Sequence, residues 1–442
     1  MSDGKHVTLD YVGYVSPNGN DAEWMLELLR EAAAKAGARE VHAHAEPFDG
    51  SVSPPGFAAV VLLDESHVSA HCYSERGLLA IDAFTCGETD PNQITDHLHA
   101  VLIEAIPEIK LVRKDSLKRF LNGEEMAVRE FVDEHFRHFN AGELAKTARS
   151  LTDFVDSGGS LMVTLAGAMS TAEIGRSLAP AIRAGKIAAI SCTGANLEED
   201  LFNLIAYSQY GEIEDWRSLS AEQESQLENR ITNRTLPEEA AIRKVESHLV
   251  EMWQSGGPKL PHEYLYELIL DAGLEWDANP KDSWLLAAAE AELPMFVPGW
   301  EDSTLGNIFA ARVLSGEISA EQILSGTHYM TNLASWYRAV CGTVGSSGSG
   351  GGAGLLQVGG GIAGDFPICV VPMLRQDLGE QVPLWSWYGQ ISESRPSYGG
   401  YSGAPPNEKI SWEKLGVETP RFVIESDATI VLPILLGYLL DG

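Results

Sequence analysis

Apolar and polar residues follow two different rhythms along this chain. In the first hundred residues they alternate in short runs. "HVTLDYVGYV" has the period of a strand with one buried face. "NDAEWMLELLREAAAKAG" then places Met25, Leu26, Leu29, Ala33 and Ala36 at helical spacing, with Asn20 at the cap, Glu23 at the capping-box position and Gly37 at the end. Phe57 to Leu63 and Leu78 to Phe84 predict further strands, and "PNQITDHLHAVLIEAI" a second helix with Pro91 in its first turn. Strands with helices on one face predict a small α+β sandwich. The charged stretch "RKDSLKRFLNGEEMAVRE" marks a change of unit.

From about residue 140 the rhythm lengthens. "SLMVTLAG" precedes "STAEIGRSLAPAIRAG", and "IAAISCTG" precedes "NLEEDLFNLIAY". "LPMFVPG", "GLLQVGGG" and "RFVIESDATIVLPILLGYLL" follow as further apolar β runs. Uninterrupted apolar strands that end in Gly, Ser or Thr before a helix predict a Rossmann-like, doubly wound parallel sheet. The fold class is therefore α/β, with residues 1–115 as the first domain, 116–134 as linker and 135–442 as the second. Ligands of such sheets sit at the carboxyl ends of the strands. "GTVGSSGSGGGAG" is low-complexity and reads as a loop, not as a dinucleotide fingerprint.

Charge narrows the partners. A formal net charge of −32 repels nucleic-acid phosphates and anionic membranes and favours cationic ligands, although it equally serves solubility. The longest apolar run near the end, "TIVLPILLGYLL", is too short to span a bilayer. The start shows no secretory pattern, and five scattered cysteines read as reduced thiols in a cytoplasmic protein. His135 with His138, and His97 with His99, have helical or alternate spacing but no third ligand nearby, so no metal site is expected.

Two segments carry candidate chemistry. The first is "VLLDESHVSAHCYSERG" (Val61 to Gly77), where an apolar run ends in Asp-Glu-Ser-His. A hydrolase nucleophile would want Gly-x-Ser-x-Gly around Ser66, which is absent. Ser66 and His67 can also be polar residues at a strand end. "ESHVSAH", Glu75 and "AIDAFTCG" resemble the bacterial S-adenosylmethionine decarboxylase family over residues 5 to 110. The resemblance implies self-cleavage between Glu65 and Ser66, which converts Ser66 into a pyruvoyl group that serves as electron sink for decarboxylation. It also implies His71 as the proton-handling residue of processing, Cys86 as proton donor in turnover, and Glu65 beside the substrate. Two departures stand out: Gly56-Phe57-Ala58-Ala59 replaces Gly-Val-Ser-Gly, and Cys72-Tyr73-Ser74-Glu75 replaces Thr-Trp-Pro-Glu. Arginine or ornithine thus joins S-adenosylmethionine as a possible amino-acid substrate, and an unprocessed, non-catalytic domain is the alternative.

The second segment is "SGAPPNEKISWEKLG" (Ser402 to Gly416). Trp412 and Lys414 are two apart, so on a strand they would share a face, and an aromatic neighbour suits a lysine nucleophile. Packing of a surface lysine on tryptophan is the plainer reading. Glu408, Trp412 and Lys414, with "CTGANLEEDLFNL", "PGWEDSTLGN", "GGGIAGDFP" and "IESDAT" in order, resemble the deoxyhypusine synthase family from about residue 135 onward, and within it the bacterial deoxyhypusine synthase-like branch. The resemblance implies NAD held by Ser170, Thr193, Gly194, Glu199, Asp302, Gly359, Gly360, Gly361, Ser402 and Asp427. Glu198, Glu199 and Asp200 can equally serve as favourable charge at a helix start. Around the amine the resemblance implies Glu408 and Trp412, with Asn307, Asp365 and Tyr401 at positions where the family's acids and histidine differ. Lys414 would form an imine with an aminobutyl or related fragment.

The whole chain then reads as a polyamine enzyme. An aminoalkyl transferase using putrescine, spermidine or agmatine, with homospermidine as one product, is fused to a decarboxylase-like domain. The family resemblance implies a homotetramer. Modification of a protein lysine is the alternative.

Overall fold

The computed structural model describes residues 4–17, 19, 21–64, 66–86, 89–119, 127–271, 273–342 and 351–441. The chain forms two compact units, Met1–Met126 and Ala127–Gly442.

The first unit is one antiparallel sheet with two helices on one face. Its strands are β1 (Gly4–Val12), β2 (Glu40–Phe48), β3 (Gly56–Leu63), β4 (Ser66–Tyr73), β5 (Leu78–Thr85) and β6 (Lys110–Arg119), in the order β2-β3-β4-β5-β1-β6. Alternation puts Leu9, Tyr11, Val61, Val68, Ala70 and Ile81 under the helices Asp21–Lys35 and Pro91–Ala105. Asp90 caps the second helix by accepting from the Asn92 N–H, with Pro91 at its first position. The Asn20 cap expected for the first helix lies outside the described residues. The expected linker at 116–134 requires correction, because it begins inside β6. That strand pairs with β1 along its length, and a sheet-edge strand tolerates charge, which hid it in the sequence. The linker's far end lies in the helix Val128–His135.

The second unit is built on six parallel strands. These are β7 (Ser160–Leu165), β8 (Ala189–Cys192), β12 (Met295–Phe296), β13 (Ala353–Val358), β14 (Trp387–Ile391) and β15 (Arg421–Ile424), in the order β12-β8-β7-β13-β14-β15. A small separate sheet holds β9 (Gly211–Glu212), β10 (Arg230–Ile231) and β11 (Arg234–Thr235). The chain runs outward from β7 through β8 to β12, then returns to the other side of β7 as β13 and continues through β14 to β15. That reversal is the switch point of a Rossmann-type sheet, and it opens a crevice at the carboxyl ends of β7 and β13. Every residue of β13 is buried, as a strand covered on both faces requires. The terminal run expected as strand divides. Only Arg421–Ile424 is extended, and Ala428–Leu440 is helical despite Pro433, with Val431, Leu432, Leu435, Leu436 and Leu439 along its buried side. An apolar run does not by itself distinguish a buried helix from a buried strand. No helix among the described residues is long and apolar enough to cross a membrane.

Candidate active site

The crevice is lined by the turns that leave the strands. Ala166, Gly167 and Met169 follow β7, Gly359 follows β13, and Asp427 and Thr429 follow β15, around a cavity of about 670 Å³. Gly359 takes φ +78° and Gly361 φ +65°, both in the left-handed region. A Cβ on Gly360 would lie 1.9 Å from Ser402 Cβ, and one on Gly359 would lie 2.8 Å from Ala166 Cβ. This bare backbone at a switch point fits a dinucleotide, whose phosphates need close backbone approach. Asp427 accepts from the Thr429 N–H at 2.8 Å and caps the last helix, so its carboxylate is fixed at the crevice rim.

Several residues expected to touch the cofactor build the scaffold as well. Ser170 is 1% exposed; its hydroxyl donates to Asn196 O and accepts from Trp284 Nε1. Gly194 is needed because a Cβ there would meet Ser303 Cβ at 2.7 Å. Thr193 caps its helix and donates to Gly167 O at 2.7 Å, shaping the β7 turn. The three acids that follow do not serve their own helix start. Glu198 accepts from the N–H groups of Thr304 and Leu305, and Asp200 from those of Trp284 and Leu285, so each caps a different helix. Glu199 accepts from the Thr171 hydroxyl, and burial together with the Glu198 charge pushes its acid up to about 8. Burial raises Asp200 to about 6.

Beside the crevice lies a second cavity of about 560 Å³ holding Asp365, Tyr401, Glu408, Lys409, Trp412 and Lys414. Lys414 is 8% exposed, and its Nζ stands 3.8 Å from Asp365 Oδ1, 5.5 Å from the Tyr401 ring centroid and 5.8 Å from that of Trp412. The expected strand through Trp412 and Lys414 is absent. Glu408–Ser411 is a single helical turn, and Glu413 at φ +55° closes it. The Glu413 N–H donates to Ile410 O and the Lys414 N–H to Lys409 O, the two bonds of a Schellman turn. Trp412 is therefore 63% exposed at the mouth while Lys414 points inward.

The two cavities share a wall. Gly360 abuts Ser402, next to Tyr401, and Gly361 opens the helix Ile362–Ile368 that carries Asp365. Gln390 Nε2 donates to Ser402 O, Gln357 Nε2 donates to Gly359 O, and the Tyr388 hydroxyl bonds both glutamine carbonyls. Asp302 and Asn307 do not join either cavity. They line a third, of about 720 Å³, with Arg243, Glu246 and Arg312, and Asn307 Nδ2 donates to Glu301 O and Ser303 O.

In the first unit Leu63 pairs with Ser66, so residues 64 and 65 alone connect β3 to β4. Glu65 lies outside the described residues. The Cys86 N–H donates to Ser66 Oγ at 3.3 Å, which brings these two expected residues together. His71 lies five residues along β4, about 16 Å away, and an odd separation on a strand points it to the opposite face. Ala58 is its cross-strand partner, so the replaced hydroxyl of the upstream motif stands opposite His71.

Residues 133–439 match the deoxyhypusine synthase family. The chain belongs to that family. A "Deoxyhypusine synthase-like protein" of Nostoc sp. is 30% identical over 333 residues, covering 72% of this chain and 82% of the relative. A "Probable deoxyhypusine synthase 1" of Archaeoglobus fulgidus is 29% identical over 307 residues, covering 69% and 90%. Residues 5–114 match the S-adenosylmethionine decarboxylase family. An "S-adenosylmethionine decarboxylase proenzyme" of Brevibacillus brevis is 44% identical over 100 residues, covering 22% of this chain and 72% of that one. The protein is a deoxyhypusine synthase-like part fused to an S-adenosylmethionine decarboxylase part.

Within the deoxyhypusine synthase-like part, sequence reasoning passed over two cavity residues and one behind them. Lys409 is 2% exposed inside the Lys414 cavity, Cys369 donates to Asp365 Oδ1 at 3.6 Å, and the ring of the buried Tyr388 on β14 is centred 5.1 Å from Lys409 Nζ. β14 went unread because "WYGQI" mixes a glycine and a glutamine into what is a fully buried strand.

Proposed function

We propose that the chain is a polyamine-metabolism enzyme in which Lys414 carries an aminoalkyl group from one amine to another. The observation that supports this most directly is the placement of the Lys414 amine between Asp365, Tyr401 and Trp412, against the wall of a glycine-lined crevice. NAD, held by Gly359, Gly360, Gly361 and Asp427, would supply a hydride acceptor for an amine carbon and later return the hydride. Asp365 and Glu408 hold the ammonium end of a donor such as putrescine, spermidine or agmatine. The Lys414 amine in its uncharged form attacks the carbon of the oxidised donor. The new N–C bond replaces the bond to the departing amine, so the fragment stays on the enzyme as a lysine imine. An acceptor amine then adds to the same carbon and displaces Lys414, which is regenerated. Putrescine as acceptor gives homospermidine.

In the first unit Ser66 is the source of a pyruvoyl group, which would supply the carbonyl electron sink for decarboxylation. Cys86, whose backbone N–H donates to Ser66 Oγ, is the proton donor in this reading. S-adenosylmethionine, arginine or ornithine would be the amino acid. Fusion raises the local concentration of an amine made by the first unit for the second, which favours arginine or ornithine. The active form in this reading is a cytoplasmic homotetramer.

The test is to supply NAD with labelled putrescine, spermidine or agmatine and to separate the products. New labelled polyamine in the native protein and none in Lys414→Ala supports the reading. Label retained only on a protein lysine other than Lys414 replaces it with protein modification.

A further inference from the structure

We propose that Lys409 is a second functional lysine, a buried cation whose charge sets the reactivity of the Lys414 amine. The proposal rests on Lys414 being the imine-forming lysine. A Schellman turn brings together the side chains of the two residues joined by its outer hydrogen bond, a place commonly taken by an apolar pair. Here that bond runs from the Lys414 N–H to Lys409 O, so the turn sets two lysines side by side. Their ammonium groups share one aromatic ring. Lys409 Nζ lies 5.0 Å and Lys414 Nζ 5.5 Å from the Tyr401 centroid, and Lys409 Nζ lies 5.1 Å from that of Tyr388.

Lys409 is compensated for burial by two tyrosine rings and by the charges of Glu408 and Asp365 at longer range. Among the described residues no carboxylate lies within ion-pair distance of its Nζ, which donates to Ala404 O at 3.2 Å. A lysine this buried and this weakly partnered is costly, and packing alone would be served by methionine. The electrostatics show what the charge can do. Asp365, 3.8 Å from Lys414 Nζ, and Glu408 bring negative charge to the amines of this cavity. A second cation works in the other direction. The groups facing the pair are Glu408 on its own turn, Asp365 and Cys369 on and after the helix Ile362–Ile368, Tyr388 on β14 and Tyr401. Burial first and the Lys414 charge second lower Lys409 itself to about 8, so the two amines sense each other. Such coupling is reciprocal.

The experiment is reductive methylation of the full chain with formaldehyde and cyanoborohydride between pH 6 and 10, with Lys414 modification followed by peptide mass spectrometry. Neither NAD nor amine substrate is present, so the readout holds whether or not transfer activity is found. In Lys409→Met the rate of Lys414 methylation between pH 6 and 7.5, where Lys409 carries its charge, falls roughly tenfold. In Lys409→Arg, which keeps the charge, that rate stays at or above the native value. Equal native and Lys409→Met rates in this window overturn the proposal. So do equal losses in both variants, which assign the effect to packing. If Lys409→Arg fails to fold by circular dichroism, Lys414→Met takes its place. Reciprocity then requires the rate of Lys409 methylation to fall, and an unchanged rate overturns the proposal.

Discussion

Gly360 and Ser402 approach so closely that a methyl group on the glycine would lie 1.9 Å from the serine Cβ. The contact joins the turn after β13 to the segment that carries Tyr401, and so joins the glycine-lined crevice to the lysine cavity. Gly360→Ala must displace Ser402 and Tyr401 together. We expect NADH affinity to fall at least about tenfold and stability to fall by about 1–3 kcal/mol, read by fluorescence titration and thermal melting. Gly361→Ala, with nothing within 4 Å of its Cβ, meets only backbone strain of about 1–3 kcal/mol. Equal binding by native and Gly360→Ala proteins would remove this wall from the account.

Asp365 is the carboxylate paired with the Lys414 amine. Asp365→Asn keeps its shape and removes its charge. The KM for a cationic donor should rise about tenfold to a hundredfold, the loss of a charge-assisted hydrogen bond of about 1.5–3 kcal/mol. Steady-state kinetics with putrescine and agmatine would show it. An unchanged KM for both would mean that Asp365 does not hold the donor.

Glu199 makes stability depend on pH. Its acid is raised from an ordinary 4.5 to about 8 by burial first and the Glu198 charge second. Below pH 4.5 both folded and unfolded chains hold the proton, and its contribution is fully present. As pH rises towards 8 the unfolded chain releases that proton while the folded chain keeps it, so stability declines across this window. Glu199→Gln should leave stability at pH 5 nearly unchanged and raise it at pH 8. Urea denaturation at the two pH values checks this, and an equal effect at both would contradict it.

Much of this was legible beforehand because it depends on local rules. Asp90 and Pro91 announce a helix start, and apolar runs ending in glycine announce parallel strands. His71 could have been placed as well, since an odd separation from Ser66 on a strand puts the two on opposite faces. Lys409 was hidden for a different reason. Next to Glu408 it looks like one member of a surface ion pair, yet it is buried on a turn that Glu413 closes in a left-handed conformation glycine would normally take. The caps made by Glu198 and Asp200 were hidden because their partners lie about a hundred residues away in sequence.

The Ser66 hairpin carries its own prediction. Denaturing mass spectrometry should show two chains divided between residues 65 and 66, the larger blocked at its start, and Ser66→Ala should give one chain. One unbroken native chain after prolonged incubation would make the first unit non-catalytic.

The central claim is that Lys414 carries the transferred fragment. The direct measurement is to incubate the native protein with NAD and labelled putrescine, spermidine or agmatine, reduce with borohydride, and map the label by peptide mass spectrometry. The account predicts an aminoalkyl adduct on Lys414 that requires NAD and disappears in Lys414→Ala. Label on another residue, or none on Lys414 with any of the three donors, would contradict it.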